Sequence, residues 1–351
     1  MEFRHLLVTG GAGFIGSNFV RRLLQARPGL RVTNLDALSY SGNLENLRDV
    51  ERECGGHCYR FVEGDIGDAR LVASLLAATP GGAEPVDAVV HFAAESHVDR
   101  SILGPEIFVQ TNIAGTTNLL ERCRNELAER PRPFRFLHVS TDEVYGSLDA
   151  DDPAFAEDTP LAPRSPYSAS KAGSDLMVAA YAETFGFPAV TTRCSNNYGP
   201  YQYPEKLIPL MIVRALAGLS LPVYGDGLNV RDWIHVDDHC DGVLAVLERG
   251  RDGCCYNLGG ETELRNIDIV RRILSLLDRP ETLIEYVTDR PGHDRRYAMN
   301  IGRANAELGW APALEFGAGL ERTVAWYVDN RAWWEPLLDA SSEVIRRLYA
   351  R

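Results

Sequence analysis

His5-Leu6-Leu7-Val8-Thr9-Gly10-Gly11-Ala12-Gly13-Phe14-Ile15-Gly16 decides how this chain folds. An apolar run of strand length meets a G-x-x-G-x-x-G turn, and Asn18 to Gln25 continue with helical periodicity. Strand, tight turn and helix in that order bring the N–H groups of a helix N-terminus to a pyrophosphate. The missing side chains of Gly10, Gly13 and Gly16 let it approach the backbone, with Phe14 and Ile15 beside it. Asp36 stands 20 residues beyond Gly16, at the end of the next apolar run. A carboxylate there accepts hydrogen bonds from both ribose hydroxyls of NAD and repels the 2′-phosphate of NADP, so NAD is the expected cofactor.

Outward from that turn, apolar and β-branched segments recur at Arg31 to Leu35, Tyr59 to Val62, Val86 to Phe92, Phe134 to Val139 and Ala189 to Thr192, with room for helices between them. This alternation predicts an α/β fold with a doubly wound parallel Rossmann sheet. Asp65-Ile66, after the third strand, would meet an adenine edge, and Ala93-Ala94, after the fourth, supplies small residues beside the pyrophosphate and ribose. Beyond Asn196 the chain turns to Pro- and Gly-rich connections such as Tyr198-Gly199-Pro200 and Tyr224-Gly225-Asp226-Gly227. The expected division is an NAD-binding domain over residues 1–193, with a return segment near 253–270, and a smaller C-terminal substrate domain over 194–351.

The 351 residues are 45% hydrophobic and 24% charged, enough for a large core and more than one compact domain. A net charge of -13 argues against nucleic acid as a partner, because phosphate backbones are held by surplus Lys and Arg. Any anionic ligand must then meet a local basic patch. No run of about 18 apolar residues occurs and no charged leader precedes the first strand, so a cytoplasmic protein without a membrane partner is expected. Seven cysteines lack the paired spacing of disulfide frameworks or zinc sites, and reduced thiols with no metal are expected. His235 and His239 flank Asp237 and Asp238; an Asp of this run reads as the cap of the next helix rather than as a ligand. Of 36 Lys and Arg residues only two are Lys, Lys171 and Lys206, and both fall inside the motifs below.

Ser140-Thr141-Asp142-Glu143-Val144-Tyr145-Gly146, and then Tyr167-Ser168-Ala169-Ser170-Lys171, carry the chemistry. Tyr167 and Lys171 are i and i+4 and share a helix face. An ammonium beside a phenol, with the cofactor's positive ring, lowers the phenol's pKa and makes Tyr167 a base for a hydroxyl, which Thr141 can also hydrogen-bond. Moving a hydride needs only these groups. The adjacent carboxyl groups of Asp142 and Glu143 imply a second step, since like charges at short range push one pKa up and leave one acid and one base near neutrality.

These motifs are joined by Arg193-Cys194-Ser195-Asn196-Asn197-Tyr198-Gly199-Pro200-Tyr201-Gln202, Arg231-Asp232-Trp233-Ile234-His235-Val236-Asp237-Asp238 and Arg290-Pro291-Gly292-His293-Asp294. Together they resemble the extended short-chain dehydrogenase/reductase family over nearly the whole chain, and within it most closely the nucleotide-sugar dehydratases that act on a dTDP-sugar. The resemblance implies that Tyr167 takes the proton of the glucose 4-hydroxyl as the C4 hydride passes to NAD. Glu143 then removes the C5 proton, and protonated Asp142 gives its proton to the departing 6-hydroxyl. Return of the hydride to C6 yields a 4-keto-6-deoxy sugar. It further implies that Thr111, Cys194 and Asn197 join the cofactor site, that Ser96 and Asn196 approach the sugar and its pyrophosphate, and that Lys206, Leu207, Pro222, Tyr224, Arg231, Asn266, Arg290 and Asp294 surround the nucleotide. Lys206, Arg231 and Arg290 would form the basic patch, and Tyr224 a stacking face for thymine. A homodimer formed through a helical bundle is usual in the family.

Two departures stand out: a short stretch between Glu143 and Tyr167 that holds Asp149, Asp151 and Asp152, and Asn300 where the family has Asp. Position 142 separates neighbouring activities. 4-Epimerases lack the two carboxyl groups, while UDP-glucuronate decarboxylases and GDP-mannose dehydratases resemble Thr-Ser-Glu. Asp142 favours the dTDP type without by itself fixing the base of the nucleotide. An epimerase or decarboxylase acting on a UDP-sugar is the alternative, and predicts activity that survives loss of Asp142. A non-catalytic NAD-sensing protein is a third reading, against which Tyr167, Lys171 and Glu143 all stand intact.

Overall fold

The computed structural model describes residues 3–77, 84–289 and 291–338. Its strands are β1 (His5–Thr9), β2 (Arg31–Asp36), β3 (Tyr59–Glu63), β4 (Ala88–His91), β5 (Arg135–Thr141), β6 (Ala189–Cys194), β7 (Asn196–Tyr198), β8 (Leu221–Tyr224), β9 (Val230–His235), β10 (Cys255–Leu258), β11 (Glu263–Arg265) and β12 (Ile284–Val287). Seven of them form one sheet in the order β10-β6-β5-β4-β1-β2-β3. Every pairing in it is parallel. The order reverses between β1 and β4, which opens a crevice at the carboxyl ends of those strands.

Successive strand residues point to opposite faces, and the apolar runs fill a core on each side. Leu6, Val8, Ala88, Val90, Leu137 and Val139 face one core. Leu7, Val89, Phe136 and Ala189 face the other. The chain beyond Cys194 contributes to the first core as well: helix Val236–Arg249 supplies Cys240, Val243 and Val246 to it, and β10 lies beside β6. A separate core gathers helices Leu207–Leu216, Asn266–Leu276 and Phe316–Asp329 around Tyr198 and Trp233. The sheets β11-β9-β7 and β12-β8 contribute side chains to it, among them Tyr198, Trp233, Leu221 and Val223.

One local expectation is corrected. Helix Val236–Arg249 is capped by His235, whose Nδ1 accepts from the Asp237 amide at 3.2 Å. The helix starts before either Asp of the run, so Asp237 and Asp238 sit in its first turn, where their charge suits the helix dipole.

Candidate active site

The glycine turn closes on itself tightly. Gly10 has φ +73°, and a Cβ there would stand 2.5 Å from the Ala93 nitrogen; one at Gly16 would overlap the Gly10 carbonyl oxygen. Helix Phe14–Ala26 begins at Gly13 with no side-chain cap, leaving its first N–H groups for a ligand in the cleft that this turn lines. Asp36 borders the same cleft at the end of β2. Its Oδ2 accepts from the Ala12 amide and its Oδ1 from the Leu38 amide, both at 2.9 Å. Burial pushes this carboxyl up, against those two amides. A bare helix N-terminus beside a carboxylate acceptor fits the pyrophosphate and ribose of a dinucleotide.

The cleft, about 370 Å³, is also lined by Asp65, Ile66, Ala93, Ala94, Thr111, Cys194 and Asn197 on the cofactor side, and by Thr141, Asp142, Glu143, Tyr167 and Lys171. β5 delivers Thr141 at its last position, and a 3-10 turn over Asp142–Tyr145 follows at once, with the Thr141 hydroxyl accepting from the Glu143 amide at 3.3 Å. Helix Pro166–Phe185 starts with Pro166 and a reciprocal Ser165–Ser168 capping box, which fixes Tyr167 and Lys171 in its opening turns. Asn112 ties Ser170 to the loop after β4 through hydrogen bonds to the Ser170 hydroxyl at 2.8 Å and the Glu95 carbonyl at 3.0 Å.

The electrostatics are set by burial. Asp142 is 2% exposed, and burial followed by the Glu143 charge raises its carboxyl well above the ordinary range. Lys171 donates to the Val139 carbonyl at 2.8 Å, and burial lowers its ammonium to about 8. Burial and the nearby Glu143 raise the Tyr167 phenol well above its ordinary value, with the Thr141 hydroxyl opposing them. The expected lowering of this phenol is therefore not a property of the protein's own groups, because one ammonium does not offset desolvation and two carboxyl groups. Under Lys171 lies a buried ion network: Asp175 takes Arg193 at 2.8 Å and stands 3.3 Å from His138, and Arg193 donates to the Tyr145 hydroxyl at 2.9 Å.

Of the expected substrate residues, Ser96, Asn196 and Lys206 line the cleft, and Lys206 donates to the Ser96 carbonyl at 3.0 Å. Leu207 opens the next helix and packs on the second core. Pro222, Tyr224, Arg231, Asn266 and Asp294 do not line that cleft; they form a neighbouring group. Arg231 donates to the Asp294 carbonyl at 2.8 Å and lies 4.2 Å over the Tyr297 ring, Asn229 links Asp294 to Asn266, and Tyr224 meets the His293 ring edge-on. Arg231 acts on Asp142, where its charge opposes the raised pKa, so the two groups adjoin at the acid. Arg290 lies outside the described residues. Reading the sequence missed Tyr40, Tyr203 and Glu205, which also line the cleft, with Glu205 buried 3.7 Å from His97. Their signal was the placement of Tyr203 and Glu205 directly before Lys206. The short stretch after Glu143 is anchored by Arg296, which donates to the Asp149 and Asp152 carbonyls at 3.2 and 2.8 Å.

A Thr-Tyr-Lys set at the carboxyl edge of a doubly wound sheet, beside a glycine-turn dinucleotide cradle, is the equipment of an extended short-chain dehydrogenase/reductase. The family model described as GDP-mannose 4,6 dehydratase matches residues 7–323, and the chain belongs to that family. It is 54% identical to the dTDP-glucose 4,6-dehydratase of Xanthomonas campestris pv. campestris (strain B100), with 97% of each chain covered. To the Escherichia coli enzyme of the same name it is 47% identical, over 96% of this chain and 97% of that one. Among solved structures it is similar to DesIV, a dTDP-glucose 4,6-dehydratase from Streptomyces venezuelae crystallised with NAD, at 50% identity and a TM-score of 0.89, covering 95% of this chain and 99% of that one.

Proposed function

We propose that this protein is a dTDP-glucose 4,6-dehydratase, an NAD-dependent hydro-lyase that converts dTDP-glucose into dTDP-4-keto-6-deoxyglucose and water. The observation that carries the reading is the pairing of the buried Asp142, whose carboxyl is pushed up by burial and the Glu143 charge, with the half-buried Glu143 next to it, beside Thr141 and Tyr167. When bound, NAD supplies the acceptor for the C4 hydride and returns that hydride to C6. Gly10, Gly13, Gly16 and Asp36 hold its pyrophosphate and ribose. Tyr167, oriented by Thr141, takes the proton of the 4-hydroxyl, and Lys171 supplies positive charge to the same corner. The resulting 4-ketone acidifies C5–H, which Glu143 removes. Asp142, whose protonated form is favoured by burial and its neighbour's charge, gives its proton to the departing 6-hydroxyl. Glu143 returns a proton to C5; Tyr167 then releases the proton it took from the 4-hydroxyl and Asp142 regains the one it gave to water, so the protein ends the cycle as it began.

The nucleotide is placed against Lys206 and the group around Tyr224, Arg231 and Asp294. We propose a homodimer, supported by apolar side chains left exposed on adjoining helices: Leu103, Ile107, Val109 and Leu176 are 54, 52, 53 and 61% exposed. We also propose a cytoplasmic location, supported by the absence, among the described residues, of a helix long and apolar enough to cross a membrane. The test of the activity is to incubate the protein with dTDP-glucose and follow the alkaline absorbance of a 4-keto-6-deoxy product. Turnover of a UDP- or GDP-sugar in its place would overturn the nucleotide assignment.

A further inference from the structure

Ala12, in the middle of the glycine turn, is held from three sides. Its amide donates to Asp36, and its carbonyl accepts from the Asn43 amide at 3.1 Å and from Nδ2 of Asn46 at 2.9 Å. Asn46 is 1% exposed and comes from the short helix after β2. Its Oδ1 accepts from the Trp333 indole at 2.9 Å, across 287 residues of sequence. An indole N–H can only donate, so it requires the Asn46 oxygen to face Trp333 and thereby turns the amide's NH₂ toward Ala12.

Trp333 is itself seated in an aromatic cluster. Tyr201 lies 4.7 Å from Trp326 and 5.7 Å from Trp333, and Trp326 lies 5.0 Å from Trp333. Arg21 joins the two sides, with its guanidinium 4.6 Å over Tyr201 and a bond to the Asn46 carbonyl at 2.5 Å. The same cluster reaches the other wall of the cleft: Tyr327 donates to the Gln202 carbonyl, and Gln202 donates to that of Asn197 at 2.9 Å. We infer that Trp333 and Asn46 are positioning residues for cofactor retention: a C-terminal aromatic strap fixes the Ala12 peptide and so keeps the first-turn amides of helix Phe14–Ala26 aligned on the pyrophosphate. The inference rests on the NAD-binding reading above, and not on the identity of the sugar.

The test uses the full-length protein with its bound NAD, quantified after denaturation, and the rate at which that NAD exchanges with a fluorescent analogue. Trp333→Phe keeps a six-membered aromatic ring in the cluster but removes the N–H together with the rest of the indole's five-membered ring, while Asn46→Ala removes the relay and leaves Trp333 in place. Loss of one buried hydrogen bond in the relay gives an NAD release rate roughly tenfold faster in each, substoichiometric NAD after purification, and a turnover rate restored by added NAD. A general loss of structure would not be restored in that way. Arg331→Ala, on the exposed face of the same segment, leaves release unchanged. Release rates in Trp333→Phe within twofold of the parent overturn the strap even if Asn46→Ala fails to fold. A parent that carries no NAD overturns the cofactor reading and the strap with it.

Discussion

The Thr141 hydroxyl donates to Oδ1 of Asp142 at 3.1 Å, while Oδ2 of the same carboxyl is buried without a hydrogen-bond partner. A buried carboxylate normally gathers donors on both oxygens. An oxygen left bare in this way suits a carboxylic acid that carries its proton, and Asp142 borders the cleft where that proton is needed. Replacing Asp142 by Asn keeps the shape and removes the acid. Turnover should fall by about 10²–10⁴, the range typical of a lost general acid, while reduced nicotinamide builds up because C4 oxidation persists. Full turnover by Asp142→Asn would leave the elimination without its acid and favour the epimerase or decarboxylase reading.

Lys171 sets a pH limb. Burial lowers its ammonium from 10.5 to about 8, against the opposing charges of Asp175 and Cys194. Because the folded value lies below the unfolded one, holding the charge costs stability: the cost is fully present below pH about 8 and fades as pH rises toward 10.5. The charge itself is lost over the same window. Single-turnover C4 oxidation should therefore decline above pH about 8, and Lys171→Met should be slower and lack that limb. A limb that persists in Lys171→Met belongs to another group.

The turn tolerates no side chain at Gly16. A Cβ would overlap the Gly10 carbonyl oxygen and stand 2.8 Å from the Gly11 Cα, both backbone atoms that cannot rotate away. Gly16→Ala should lower stability by about 1–3 kcal/mol and reduce bound NAD. Calorimetry and cofactor content check this together; an unchanged Tm with full NAD would mean that the turn has slack.

Arg193 neutralises Asp175 under the active site, with both side chains buried. Although burial pushes the Asp175 carboxyl up, His138, Arg193 and Lys171 hold it below its ordinary value. Removing the guanidinium strands a buried carboxylate. Arg193→Met should cost about 3–5 kcal/mol in denaturant unfolding, and adding Asp175→Asn should recover part of it. Equal stability of Arg193→Met and the parent would show the pair to be replaceable.

The fold and the cofactor half of the site were legible because they are local. The glycine turn, Asp36 and the Tyr167–Lys171 helix face are short-range patterns with one geometric solution, and Gly10, Gly13, Gly16, Asp36, Tyr167 and Lys171 line one cleft. Arg231 and Asp294 were found by motif, but their mutual contact and their separation from the cleft depend on how β8, β9 and the segment after β12 meet, which no spacing encodes. The upward push on the Tyr167 phenol from the protein's own groups was not legible, because helix spacing reveals the ammonium while burial and the carboxyl groups of another element are tertiary facts. The link from Trp333 to Asn46 spans nearly the whole chain and leaves no periodic trace.

The central claim is that hydride leaves C4 and returns to C6 of the same sugar while the two carboxyl groups remove water. dTDP-glucose carrying deuterium at C4, turned over by the protein and examined by mass spectrometry and NMR, tests this directly. The predicted product is the 4-keto-6-deoxy sugar with the deuterium in its C6 methyl group. Deuterium found instead at C4 of an intact or epimerised hexose would contradict the account.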